Sequence, residues 1–212
     1  MNNQKVIIVG SSGHSKVIID IFEKENKYQI VGLLDAYRNI GEETLGYKVI
    51  GKEDDLPVLL SKNLNCKIFI AIGDNWIRNK VMRKIVDIVP SIDFATTIHP
   101  SAQIGKNVQI GKGVAIMAGA IINSDTIIED FTIINTKASI DHDSKMLKFS
   151  SLAPNVTTGG NVSIGEFSAI SIGNHTVIGA GGLVMKNCGD NLIMYGIPAK
   201  EIRKREKGDK YL

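Results

Sequence analysis

The feature that most constrains this chain is a six-residue period. From position 98 an aliphatic residue returns at 98, 104, 110, 116, 122, 128, 134, 140, 146, 152 and 164, and only Thr158 interrupts the column. Eleven of twelve consecutive hexads therefore begin with Ile, Leu or Met, and the second place is usually Gly, Ala, Asn or a carboxylate. That pattern is the signature of a left-handed parallel β-helix, in which three hexads make one triangular turn of about 18 residues. First positions stack into internal ladders, and small second positions relieve crowding at the corners. The register slips by two and resumes at Ile172, Ile178 and Val184, which gives about five turns ending near Cys188. With 21 glycines and only 6% aromatic residues, the core is built from aliphatic side chains, isoleucine above all.

Before the repeats the pattern is different. Apolar runs at 6–10, 28–35, 48–51 and 67–73 alternate with helical stretches at 14–25, 53–62 and 76–89. This predicts an α/β, Rossmann-like βαβ domain with a small parallel sheet. The step at Val89-Pro90 marks its end, because a residue before proline leaves the helical region. The expected organisation is a ligand-binding domain over 1–96, the β-helix over 97–190 and a C-terminal cap over 191–212. The cap should carry a turn at 196–198 and then a basic helical pattern, its charged run 200–209 forming a solvated face. It would cover the open lower end of the coil, where unpaired β edges invite aggregation.

Composition excludes several classes. Twenty-five basic against 22 acidic residues leave a formal charge of +3, far below what a sequence-independent nucleic-acid binder uses. No apolar run approaches the roughly 20 residues that span a bilayer, and the start MNNQKVIIVG has no signal-peptide pattern. A cytoplasmic location is the expectation. Two cysteines, Cys66 and Cys188, are too few for a disulfide scaffold. The four histidines His14, His99, His142 and His175 fall at different places in their turns or outside the coil, so no three-histidine metal site is expected.

Chemistry concentrates in two places. His142 stands between Asp141 and Asp143 in IDHDSK, in a hexad whose Ile140 points inward. An imidazole is matched to proton transfer at pH 7, and a carboxylate on its other nitrogen fixes the tautomer. The alternative is a solvated histidine on a coil edge. Gly10, Ser11, Ser12, Gly13 and His14 follow strand VIIVG and open a helix, so backbone N–H groups there can face a phosphate. The full dinucleotide fingerprint G-x-G-x-x-G is missing, although Asp35 ends the next strand where a ribose-binding acid stands. A tight structural turn is the other reading of this loop. Gly73 and Asp74 end a strand at the same edge, where Asp74 either meets ligand or caps the next helix. Asn135, one hexad before His142, either positions substrate or packs a corner.

Together VGSSGHSK (9–16), LLD (33–35), AIGDNWIR (71–78), INTKASIDHD (134–143), GGNVSIG (159–165) and YGIPAK (195–200) resemble the hexapeptide-repeat sugar acetyltransferases. That family includes N-acetyltransferases of nucleotide-linked 4-amino-4,6-dideoxysugars and sialic acid O-acetyltransferases. The resemblance covers nearly the whole chain, which after Ile170 is shorter than the usual pattern by a partial turn. It implies a homotrimer that takes acetyl-CoA along the groove between two β-helices, with no metal, for the synthesis of surface glycan or glycoprotein sugars. It implies that His142 is the general base and Asp143 its partner. It further implies that the 10–13 loop and Asp35 hold the nucleotide, that His14 reaches the sugar and that Asn135 positions it. For acetyl-CoA it points to the main chain at Gly160, Ile172 and Ala180 and to Lys186 and Lys200 as phosphate partners. O-acetylation of sialic acid, a non-catalytic binding protein and an NAD-linked oxidoreductase are the competing readings.

Overall fold

The structure is a computed structural model that describes residues 4–63, 65–158, 160–167, 177–178, 188–189, 192–196 and 198–204. It divides into two compact units, Met1–Ile98 and His99–Leu212.

The first unit is a five-stranded sheet of β1 (Gln4–Val9), β2 (Tyr28–Leu34), β3 (Glu43–Thr44), β4 (Tyr47–Gly51) and β5 (Lys67–Ile70), in the order β3-β4-β2-β1-β5. Every pairing is parallel except the β3–β4 hairpin. Val6, Ile7, Ile8 and Val9 are all buried, which explains their unbroken apolar run: a parallel sheet covered on both faces has no polar side. Helix α1 (Gly13–Glu25) returns from β1 to β2 and buries Ile18, Ile19 and Phe22. Phe22 packs edge-on against Tyr28 and Phe69, at ring separations of 5.5 and 5.3 Å. The helix expected over 53–62 is divided into a 3₁₀ turn, Glu53–Asp55, and α2 (Leu56–Lys62), with Pro57 in the first turn of α2, where no N–H is needed. α3 (Asn75–Ile88) follows β5. The two-residue strand β3 has no counterpart in the sequence reading; a segment that short carries no readable period.

The second unit is built of two-residue parallel strands repeating every six residues from Gln103–Ile104 to Ser151–Leu152 and resuming at Ser163–Ile164, with a lone bridge, Ser139↔Thr157, at the position between. Rungs lie 18 residues apart, as in Ile122↔Ile140 and Ile134↔Leu152. The α/β domain and the left-handed β-helix are the folds that the alternating apolar runs and the hexads, respectively, predict. Ile122, Ile128, Ile134, Ile140, Met146, Leu152 and Ile164 are buried, and Thr158 sits in the same ladder. At the second place, a Cβ on Gly105 would lie 2.6 Å from the Ser124 nitrogen, so glycine there permits close approach of successive turns. From the hexad of Ile104 onward the fourth place turns the corner in the left-handed region, with φ near +60° at Asn107, Gly113, Gly119, Asp125 and on through Phe167. Phe131, Phe149 and Phe167 occupy one such column and stack at 4.9 and 5.5 Å.

At the C-terminal end the structure corrects the expected helix. Lys200–Lys204 is a strand, paired antiparallel with Leu192–Tyr195, which itself pairs parallel with Val177–Ile178. The open edge of Leu192–Tyr195 supplies backbone partners to Lys200, Glu201, Arg203 and Lys204, with a register shift that passes over Ile202. A short basic stretch without an apolar stripe gains little as a helix, so edge pairing wins. Residues 205–212 lie outside the described residues.

Candidate active site

His142 is the third residue of its hexad and Asp143 the fourth, so Asp143 takes the left-handed corner conformation at φ 56°. Asn and Asp tolerate that region better than other side chains. The turn brings the Asp143 Oδ2 within 2.7 Å of His142 Nδ1. Both side chains are exposed, at 60% and 64%. The Asp143 hydrogen bond, with the negative charge of Asp141 behind it, raises the His142 pKa above its usual 6.5. Asp141 is held in place by the His142 backbone N–H at 2.8 Å and the Asn123 amide at 2.7 Å, contacts that lower its own pKa. With Nδ1–H donated to Asp143, the lone pair of Nε2 is available to accept a proton.

Gly160, 18 residues on, lies directly against the imidazole. A Cβ there would stand 2.7 Å from both Nε2 and Cε1 of His142, and the next residue, Asn161, donates its N–H to the His142 carbonyl at 2.8 Å. The one break in the aliphatic column is here too. In the regular coil the second-place N–H donates to a carbonyl 17 residues on, as Asn123 does to Ile140 and Asn135 to Leu152. Asp141 N–H instead donates to the Thr158 hydroxyl at 3.4 Å. Thr158 was visible in the sequence as an exception, but its part in holding the His142 hexad was not. Asn135 donates its amide to the Leu152 carbonyl at 2.6 Å. That is corner packing, and it leaves its Oδ1 for other contacts.

In the N-terminal unit a cavity of about 510 Å³ opens at the carboxyl edge of the sheet, lined among others by Gly10, Ser11, Ser12, Asp35 and Tyr37. Gly10 has φ +105°, and a Cβ there would press on the Ala71 carbonyl, so only glycine fits. Asp35 clasps the loop: Oδ2 accepts from Ser11 N at 3.1 Å and Ser11 Oγ at 2.5 Å, and Oδ1 from Tyr37 N at 2.9 Å. Ser12 precedes α1 without a side-chain cap and Gly13 faces open space, so the first N–H groups of α1 are free of a side-chain cap. Asp74 does cap α3, its Oδ1 accepting from Trp76 N and Ile77 N at 2.9 Å each. Arg78, almost fully buried, ties the same loop by donating to the carbonyls of Ile72 and Gly73 and to Asn75 Oδ1. Gly73 lies beside the ring of His14, where a Cβ would make ordinary contact with Nδ1 at 3.6 Å. Burial, then the charge of Arg78, push the His14 pKa down to about 4, so the ring is neutral at pH 7. Its Nε2 is buried without a partner.

Sequence reasoning missed Tyr37, Glu53 and Lys84 of this cavity; nothing but the fold brings them to it. Ile172, Ala180 and Lys186 lie outside the described residues, and Lys200 is exposed at the start of the last strand. Cys66 is buried, and burial pushes its thiol up to about 11.

Comparison with known proteins decides the family. Residues 5–85 match the PglD N-terminal domain, and residues 101–136 match the bacterial transferase hexapeptide family of six repeats. A histidine-to-alanine variant of GDP-perosamine N-acetyltransferase from Caulobacter crescentus, solved with CoA and GDP-perosamine, is 35% identical to this chain. The match covers 97% of each chain at a TM-score of 0.82. The chain belongs to the hexapeptide-repeat sugar acetyltransferases. Among other structures of similar fold, the acetyltransferase domain of PglB from Neisseria gonorrhoeae, in complex with acetyl coenzyme A, is 26% identical, with 94% of this chain and all of that one covered at a TM-score of 0.79. WeeI from Acinetobacter baumannii, at 18% identity and a TM-score of 0.73 over 93% of this chain and 99% of its own, shares the fold. This acetyltransferase has no helix, among the described residues, long and apolar enough to cross a membrane.

Proposed function

We propose that this acetyltransferase moves the acetyl group of acetyl-CoA to the 4-amino group of a nucleotide-linked 4-amino-4,6-dideoxysugar, in the synthesis of a surface glycan or glycoprotein sugar. The observation that carries the reading is the His142–Asp143 pair, an oriented base whose free nitrogen lies against Gly160. His142 Nε2 takes a proton from the amine as the nitrogen attacks the thioester carbonyl. The Gly160 N–H stabilises the oxyanion, a role worth a few kcal/mol where a donor is aimed at developing charge. The tetrahedral intermediate then breaks its C–S bond, and the thiolate recovers the proton from Nε2. The product is the amide and free CoA, with no acyl-enzyme.

The 1–96 domain holds the nucleotide-sugar: the uncapped start of α1 and the Gly10–Gly13 loop take the diphosphate, Asp35 shapes that loop, and His14, neutral with an unpartnered Nε2, contacts the sugar. The 97–190 coil carries the chemistry and the 191–212 segment closes its end. Asn135 positions the acceptor; Ile172, Ala180, Lys186 and Lys200 contact acetyl-CoA in a homotrimer. An amine acceptor is preferred to a sialic acid hydroxyl because the relative at 35% identity is named for N-acetylation of an amino sugar.

The test is thiol release from acetyl-CoA with GDP-, UDP- and dTDP-linked 4-amino-4,6-dideoxysugars and with sialic acid, for wild type and His142→Ala. Turnover on an aminosugar that His142→Ala lowers by about 10²-fold or more is expected, the lower end of what a positioned base contributes. Full activity in His142→Ala, or turnover on sialic acid alone, overturns the proposal.

A further inference from the structure

The cavity at the carboxyl edge of the N-terminal sheet holds a carboxylate that acetyl transfer does not use. Glu53 lines the cavity and is only 6% exposed. Its Oε2 accepts from Lys84 Nζ at 3.2 Å, while Oε1 has no partner among the described residues. The other acid on the cavity wall, Asp35, is already committed to three donors. A carboxylate oxygen that lines the cavity and that no described residue occupies is an acceptor open to an N–H or O–H of a ligand.

We infer that Glu53 and Lys84 make this cavity selective for guanine. Lys84 Nζ also donates to Asp54 Oδ2 at 3.1 Å, which leaves the ammonium one hydrogen, so the pair presents one donor and then two acceptors. Guanine is the common base whose pairing edge is the complement, with O6 accepting from Lys84 and N1–H and N2–H donating to Glu53. Uracil and thymine set a carbonyl where guanine sets its amino group, so a second carboxylate oxygen would face an acceptor. Adenine and cytosine place an unprotonated ring nitrogen against the acid. Around this pair, Ile77 and Val81 supply apolar wall, and Tyr37, 99% exposed at the rim, offers a ring face for the base. A volume of about 510 Å³ suits a ligand of nucleotide size. The inference rests on the reading that the cavity receives a nucleotide-linked sugar, and names which nucleotide.

The experiment is calorimetric titration of the full chain with GDP, UDP, dTDP and inosine diphosphate, on wild type, Glu53→Gln and Lys84→Met. Wild type should bind GDP about tenfold or more tighter than UDP or dTDP, and Glu53→Gln should shrink that ratio by about tenfold, the range of one good bidentate base contact. Lys84→Met should shrink it as well. Inosine diphosphate lacks only the N2 amine and tests wild type directly, so a variant that fails to fold leaves the question answerable; it should bind about fivefold or more weakly than GDP. Equal binding of GDP and UDP, inosine diphosphate as tight as GDP, or a ratio unchanged in a folded Glu53→Gln overturns the inference. In those cases thiol release with a UDP- or dTDP-linked aminosugar shows that acetyl transfer stands without it. Absence of binding by every nucleotide, together with no thiol release on any aminosugar, removes both.

Discussion

Replacing Gly160 with alanine tests the site at the point where geometry is tightest. The glycine has no left-handed backbone conformation to protect, and its N–H survives the change, so the added methyl is the whole perturbation. That methyl would stand 2.7 Å from Nε2 and Cε1 of His142 and 3.1 Å from Cδ2. Ordinary carbon contacts begin near 3.5 Å, so the ring must retreat by about 0.8 Å. Because the imidazole is exposed, it can swing away without opening a cavity, and the stability cost should stay within about 0.5 kcal/mol, as for other surface changes. Catalysis is less forgiving: a misplacement of about 1 Å at reacting atoms costs on the order of 10²-fold. A ring that moves off Gly160 also loses its 2.7 Å contact with Asp143. Gly160→Ala should therefore lower kcat by about 10- to 100-fold in the thiol-release assay, with a melting curve close to wild type. Wild-type kcat in a folded Gly160→Ala protein would refute the reasoning, because it would mean that the proton is accepted somewhere other than at the nitrogen that faces Gly160.

Three other changes separate the roles of the corner residues. Asp143→Asn removes the hydrogen-bonded charge that, ahead of Asp141, raises the His142 pKa. The base works deprotonated, so the acid limb of kcat/KM, above pH 6.5 in wild type, should move to lower pH while the plateau falls; an unmoved limb in pH–rate profiles would detach Asp143 from the base. Gly113→Ala places a methyl into the Phe131 ring at φ +69°, whereas Gly119→Ala, at φ +67°, meets only Lys137 Cγ at 3.4 Å. Both pay about 1 kcal/mol for the left-handed conformation, and only the first adds about 1–3 kcal/mol of overpacking. Thermal melts should show Gly113→Ala as the less stable of the two, and equal midpoints would dismiss the ring contact.

What was legible in this sequence is what the chain encodes locally. Each hexad repeats the same demand, an inward aliphatic residue and a corner at the fourth place, so the β-helix could be read one hexad at a time. His142 and Asp143 are adjacent, and their contact needs only the turn between them. The site of the N-terminal unit is different in kind. Glu53 and Lys84 are 31 residues apart and meet because the 3₁₀ turn after β4 and helix α3 come together, which no period announces. Asp74 and Asn135 show how one residue type serves two purposes: each was readable as a ligand contact or a structural one, and each makes the structural bond. The segment 200–204 was misread because charge without an apolar stripe says little, and the partner strand that recruits it was invisible as an open edge.

The catalytic corner differs little from its neighbours. Down one edge of the coil the fourth places are Asn107, Asp125, Asp143 and Asn161, all at φ between 56° and 62°, a backbone requirement that these side chains meet at low cost. Asn107 donates its amide to Asp125 at 2.9 Å, so there the acid is spent on the turn before it. Asp143 follows Asp125, whose carboxylate is an acceptor already taken by Asn107 rather than an amide donor, and so it is left to a residue of its own hexad. Where the earlier corner has Ser124 at the third place, this one has His142, and where the next turn would place a Cβ under the ring it has Gly160. Three conditions therefore convert a structural corner into an oriented base: a histidine at the third place, an acid at the fourth that the preceding turn cannot occupy, and no side chain 18 residues later. The left-handed corner comes with the fold itself, so the chemistry asks for side chains alone.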